Sequence, residues 1–152
     1  MYIQLFWFTF ASMKEKYPLL AAASPLSCVA GKIMRCERII LNIYRKHLSS
    51  FGLTNSQLSI LMIVAKLGKL KQANLAVMLH LEKSTVSRNV KLLLKAELLM
   101  RVASKQLAIT EKGKILVESV IPAWEKAKVE ANELLQDDGQ MALNLILNNL
   151  TK

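Results

Sequence analysis

Residues 81–99 read LEKSTVSRNVKLLLKAELL, and they constrain the fold more than any other part of the chain. On a helix of about 100° per residue, Val86, Val90, Leu93 and Leu94 gather in an arc of about 100°, the width a helix needs to lie on a core. Ser84, Ser87, Arg88, Lys91 and Lys95 fill an arc of similar width on the opposite side, with Thr85, Asn89 and Leu92 on one flank. Such a helix, from Lys83 or Ser84 to Ala96, needs an apolar bed beneath it and a polar environment above it.

The neighbouring segments supply the bed. KLKQANLAVMLHL reads as a short link and a helix from about Gln72 to Leu79, with Leu75, Met78 and Leu79 inward and a tight turn at His80-Leu81. After the two-faced helix come MRVA and QLAIT, both β-prone and separated by Ser104-Lys105, which read as a small hairpin. Short helix, turn, helix, hairpin is the order of a winged helix-turn-helix. Before it, LTNSQLSILMIVAKLG offers Thr54 or Asn55 as a cap, Gly68 as a stop and a buried stripe of Leu58, Leu61, Met62 and Ala65. An earlier helix from Lys32 carries a stripe of Ile33, Ile40, Ile43 and Tyr44. Thr110-Glu111-Lys112-Gly113 opens a long helix to about Leu135, with a kink or offset expected at Pro122. Asp137-Asp138-Gly139 breaks it, and QMALNLILNNL is a last amphipathic helix. The fold class expected is mainly α: a winged helix-turn-helix with a small β-hairpin wing and a helical region built from the terminal helices.

Charge is sorted along the chain. The formal net charge is +10, and residues 56–110 hold nine lysines and arginines against only Glu82 and Glu97. Residues 111–152 hold five lysines against seven acids. A basic middle and a slightly acidic end suit a polyanion facing the middle, although a basic chain can also use charge merely to stay soluble. Enzymatic chemistry has no visible constellation: no Gly-rich phosphate loop, nucleophile elbow or zinc-binding helix motif occurs, and His47 and His80 are isolated. Cys28 and Cys36 are too few for a disulfide framework and lack metal-ligand spacing, so neither metal nor cofactor is expected.

The polar face of residues 84–95 is ordered as a DNA reader needs. Ser84, Thr85 and Ser87 are small and let the helix start approach the floor of the major groove. Arg88 and Asn89 follow, and both side chains can bond base edges with two hydrogen bonds. Lys91 and Lys95 come last, where a strand backbone would pass. A merely solvated helix with capping serines would account for the lysines, but less well for the order.

These residues, QANLAVMLHLEKSTVSRNVKLLLKAELL with LTNSQLSILMIVAKLG before and LAITEKGK after, resemble the MarR family of winged-helix transcriptional regulators over about residues 34–150. The resemblance implies a cytoplasmic, non-enzymatic regulator, in the repressing sense, that binds double-stranded DNA as a homodimer on a pseudo-palindrome. Residues 55–110 would be the DNA-binding domain, 32–54 and 111–152 the dimerisation region, and 1–31 an atypical extension. Ser84, Thr85, Ser87, Arg88 and Asn89 would read bases, and Lys71, Gln72, Lys91, Lys95 and Lys105 would hold phosphates. The family's wing carries an Asp-x-Arg element at its tip; here the hairpin is several residues shorter and has only Lys105 there. Relatives respond to small aromatic ligands or to oxidants, which points to Tyr44, His47, Met62 and Trp124 as pocket residues and Cys36 as a sensor. Each of these has a plainer reading, as core or, for Cys36, as an inert thiol buried on a dimer helix.

The extension opens MYIQLFWFTFASM, and six of the nine aromatic residues lie in the first 17 positions. It has no lysine or arginine before Lys14, and its apolar run is about half the ~20 residues a spanning helix needs, so no membrane partner is expected. A segment packed on the body or a partner chain, a signal peptide and an upstream start codon all fit. The competing function is a winged helix used for protein interaction, with this segment docking it to a partner or a membrane.

Overall fold

A computed structural model describes residues 16–24 and 27–151, so the MYIQLFWFTFASM segment lies outside the described residues. The chain divides after Ile39 into two compact units. The first holds the short helix α1 (Pro18–Ala22) and the opening of α2 (Val29–Leu48). The second holds the remainder of α2, then α3 (Asn55–Leu67), β1 (Leu70–Lys71), α4 (Gln72–Met78), α5 (Lys83–Lys95), β2 (Leu99–Val102), β3 (Gln106–Ile109) and α6 (Glu111–Leu150). The expected winged helix-turn-helix is therefore present.

Local chemistry fixes each joint of the second unit. Thr54 caps α3 in a reciprocal box: its hydroxyl accepts from the Gln57 N–H, and the Gln57 side chain accepts from the Thr54 N–H. Gly68 ends that helix at φ 77°, where a side chain is costly. The turn between α4 and α5 is closed without glycine. His80 takes φ 49° and its N–H donates to the Val77 carbonyl, while the Leu81 N–H reaches back to Ala76. That double bond is a Schellman closure, and the same pair recurs after α5, where Glu97 at φ 60° donates to Leu94 and Leu98 donates to Leu93. Each closure turns the chain sharply and returns a leucine to the core.

The core forms around α3. Ile60, Leu61 and Val64 meet Leu75 of α4, Val86, Val90 and Leu93 of α5, Leu99 of β2, Leu107 of β3 and Val117 of α6. Burying a side chain of this size stabilises by about 1.5–3 kcal/mol, so the three residues from α5 hold that helix firmly on its bed. A smaller cluster of Leu48, Leu58 and Val120, with Tyr44, Phe51 and Trp124 at its edge, joins the end of α2 to α3 and α6. Beside it Lys46 and His47 meet Glu130, with Lys46 Nζ 3.2 Å from one carboxylate oxygen and His47 Nε2 2.6 Å from the other.

Several details differ from the periodicity. Met78 and Ala65 are exposed rather than inward, and Ala76 takes the buried place on α4, because a seven-residue helix presents only one turn to the core. The link before α4 contains a strand: Leu70 and Lys71 pair antiparallel with Leu107 and Gln106, so the wing is three-stranded in the order β1-β3-β2. Pro122 sits in α6 with helical backbone on both sides. The break in that helix falls at Gln136, φ 54° and ψ 179°, one residue before the Asp-Asp-Gly run.

The junction of wing and long helix explains the TEKG sequence. The Thr110 side chain caps α6 by accepting from the Gly113 N–H, and its hydroxyl donates to the Glu97 carbonyl at 2.7 Å. The Thr110 N–H donates to the Leu98 carbonyl. Gly113 presses against that carbonyl so closely that a Cβ would collide with its oxygen and with the Ile109 side chain. In an open helix Gly→Ala stabilises by about 0.5–1 kcal/mol; here collision with backbone reverses the sign, and overpacking of this kind costs about 1–3 kcal/mol. Gly113→Ala is expected to lower the urea midpoint at fixed protein concentration; a raised midpoint would show that the contact is not tight.

The Glu130 cluster has a pH signature. Hydrogen bonds from His47 and then Lys46 hold the Glu130 carboxyl below its ordinary value of 4.5. A carboxylate lowered on folding stabilises above its unfolded pKa, and that contribution fades as pH falls through the folded one. The Tm difference between the parent and Glu130→Gln should therefore shrink as pH drops below about 4.5. A difference that stays constant between about pH 3 and 6 would contradict the pairing.

Candidate nucleic-acid interface

The first two turns of α5 project from the side opposite its buried stripe. Ser84, Ser87 and Arg88 are exposed, as are Lys91 and Lys95, while Val86, Val90 and Leu93 are buried. This is the division expected from the sequence. Arg88 forms no ion pair and neither serine forms a side-chain hydrogen bond among the described residues. The guanidinium and the two hydroxyls thus keep their hydrogen-bonding capacity for a ligand.

The helix start adds to this. Glu82 occupies the cap position of α5 but makes no side-chain cap bond, so the serines do not act as caps. The first-turn amides are left without a side-chain acceptor, while the Glu82 carboxylate sits at the positive end of the helix dipole. An exposed Lys83 stands at the first helical position. It was visible in the sequence as the residue before Ser84, but hydrophobic periodicity gave it no role. The open amides and Lys83 favour an anion such as a phosphate, and the Glu82 carboxylate opposes it.

Two expected readers differ from the rest. Thr85 and Asn89 are half-buried, and the Asn89 amide donates to the Thr85 carbonyl at 3.1 Å. The Asn89 side chain is folded back along the helix rather than extended. Leu92, on the same flank, is about half exposed.

The supporting cations lie on separate elements. Lys71 is the cap residue of α4 and is exposed; Gln72, next to it, is half-buried. Lys105 is exposed at the wing tip, where Ser104 and Lys105 both take left-handed backbone at φ 60° and 59°. Only three residues, Ala103 to Lys105, separate β2 from β3, and Val102 faces Gln106 across the hairpin. The wing is therefore as short as the sequence implies, with a cation at its tip and Arg101 exposed on β2.

The pocket candidates divide between two hollows. Tyr44 and Trp124, with Leu41, Asn55, Leu58 and Ser59, line a cleft of about 240 Å³. Met62 and Trp124, with Ile63, Lys66, Leu67 and Leu79, line a second of about 410 Å³. Burial raises the Tyr44 phenol above its ordinary value, against a lowering effect of Lys128, and Lys128 lies 5.4 Å over the Trp124 ring. His47 lines neither hollow, because its ring is engaged by Glu130. Cys36 is exposed in the single chain. No group of His, Cys, Asp or Glu that could hold a metal occurs among the described residues.

Comparison with known proteins gives this arrangement a family. The sequence profile described as "MarR family" matches residues 53–106, from the end of the α2–α3 link to the first residue of β3. A comparison with curated proteins gave no match. Among solved structures, the transcriptional repressor CouR bound to p-coumaroyl-CoA superposes with a TM-score of 0.77 at 18% identity, over 86% of this chain and 96% of that one. The Mycobacterium tuberculosis transcriptional regulator MosR gives 0.72 at 23% identity, over 82% and 95%. BpsR of Bordetella bronchiseptica, described as regulated in DNA binding by 6-hydroxynicotinic acid, gives 0.73 at 17% identity, over 84% and 95%. At these identities the structural likeness is one of fold, and the profile match assigns residues 53–106, the winged helix-turn-helix segment, to the MarR family.

Proposed function

We propose that the chain is a sequence-specific regulator that binds double-stranded DNA as a homodimer, on a pseudo-palindromic operator and in the repressing sense. The observation that carries this reading is the unpaired Ser84, Ser87 and Arg88 set on an uncapped helix start, within a segment of strong positive charge. On this reading Arg88 reads a base pair through two hydrogen bonds, and Ser84, Thr85 and Ser87 allow the close approach. Asn89 reads a base only after giving up its bond to Thr85. Lys71, Gln72, Lys91, Lys95 and Lys105 hold phosphates and set the register. Residues 55–110 form the reading domain.

The homodimer is supported by apolar surface with no cover in the single chain. Met141, Leu145 and Leu150 on the end of α6 are each more than 60% exposed. Residues 32–54 and 111–152 would form the dimerisation region. Two-fold symmetry then places two α5 helices in successive major grooves on one face of the duplex. The cytoplasm is the compartment this role requires; no single helix among the described residues is long and apolar enough to cross a membrane. The ligands named for CouR and BpsR support a small aromatic ligand here too, seated at Trp124 between Tyr44 and Met62. An oxidant acting at exposed Cys36 is the second form of control.

Gel shifts on operator duplexes test the reading. Arg88→Ala is expected to cost about 1–3 kcal/mol of binding and to relax discrimination at one base position. Asn89→Ala should cost less than Arg88→Ala. Lys91→Ala should weaken binding to all sequences alike and flatten the log–log salt slope by about one. Absence of duplex binding at low salt would overturn the function.

A further inference from the structure

The reading end of α5 holds a charge of the wrong sign for a phosphate. Residues 56–110 set nine lysines and arginines against two acids, Glu82 and Glu97. Glu97 is paired with Lys112 at 3.4 Å, beyond the far end of the helix. Glu82 is exposed at the cap position of α5 and, among the described residues, forms no ion pair and no side-chain hydrogen bond. An aspartate or serine there would cap the helix by accepting a first-turn N–H; the Glu82 carboxylate does not fold back in this way. Its backbone is nonetheless fixed on both sides. The Leu81 N–H closes on the Ala76 carbonyl, and the Glu82 carbonyl accepts the Val86 N–H at 3.1 Å. A free carboxylate on a rigid mount therefore stands two residues before Ser84, in the most basic segment of the chain.

On a DNA interface that carboxylate has few compatible neighbours. Phosphate oxygens repel it, and so do the guanine N7 and O6 and the thymine O4 atoms that line the major groove. The base-edge group that suits it is the N4 amino group of cytosine, which donates. Adenine also offers an amino donor, but beside the N7 acceptor. We propose that Glu82 is a specificity-determining residue. Its carboxylate accepts from a cytosine N4 amino group in each half-site, and it repels duplexes that present acceptors or phosphate at that place. The proposal rests on the reading of α5 as the recognition helix. Arg88 selects through a favourable pair; Glu82 selects through a penalty that one base lifts.

The test is selection of duplexes from a random pool by the parent, followed by gel shifts of the parent, Glu82→Gln and Glu82→Asp. Each is measured on the selected duplex, on that duplex with a C·G pair changed to T·A, and on an unselected duplex. The parent should require a C·G pair at one position of each half-site. Glu82→Gln should reduce that preference about tenfold and bind the unselected duplex about threefold more tightly. Glu82→Asp keeps the charge but has the reach to cap the helix, so it should raise the Tm and also lose the preference. A carboxylate that serves only the helix would move the Tm alone. An unchanged preference in Glu82→Gln, with the parent still binding its selected duplex, would overturn the proposal and leave the recognition helix in place. So would an unchanged preference in Glu82→Asp with a raised Tm, because a carboxylate folded onto the helix has left the groove. Failure of the parent to bind any duplex would overturn the underlying DNA reading, and the proposal with it.

Discussion

The Leu98 carbonyl is the point on which the working half of the molecule turns. It accepts the Thr110 N–H and lies against the Cα of Gly113, while the Leu98 N–H closes the end of α5 on Leu93. Three elements therefore meet at one residue: the end of α5, strand β2 of the wing and the long helix α6. Lys112 strengthens the joint by donating to the Ala96 carbonyl at 2.9 Å, at the negative end of the α5 dipole. A helix that reads bases must be held to a fraction of an ångström, and here the helix is pinned at its far end while its near end stays open.

The near end is open in a specific sense. α5 has a buried stripe that cannot rotate without exposing Val86, Val90 and Leu93, so the azimuth of Ser84, Ser87 and Arg88 is fixed by the core rather than by polar contacts. The polar residues are left unpaired as a result. That separation of duties is physically sensible, because a reader anchored by its own side chains would have to break those contacts on binding. Asn89 is the exception, since its amide already bonds the helix backbone. On the proposed reading, a wing reduced to a three-residue tip leaves more of the discrimination to α5.

Much of this was legible in the sequence. The two arcs of residues 81–99, the Thr54 cap and the Gly68 stop, and the hairpin around Ser104-Lys105 all follow from periodicity and capping chemistry, and the structure has them. Other features left no trace in residue type. His80 and Glu97 occupy left-handed positions that glycine would ordinarily mark, so the turns had to be inferred from the leucines around them. A strand of two residues, Leu70–Lys71, is too short to show alternation. Met78 lies inward on an ideal wheel, yet α4 ends before it can turn onto the core. Pro122 suggested a kink that the backbone does not show, while the break expected at Asp137-Asp138-Gly139 falls one residue earlier, at Gln136. The order of side chains on the α5 face was readable; whether each was free or tied needed coordinates, as Asn89 and the engaged ring of His47 show.

Selecting bound duplexes from a random pool and sequencing them tests the central claim most directly. The account predicts a two-fold symmetric motif whose half-sites lie about 10 base pairs apart, centre to centre. Enrichment of no motif, or of a single unrepeated half-site, would contradict it.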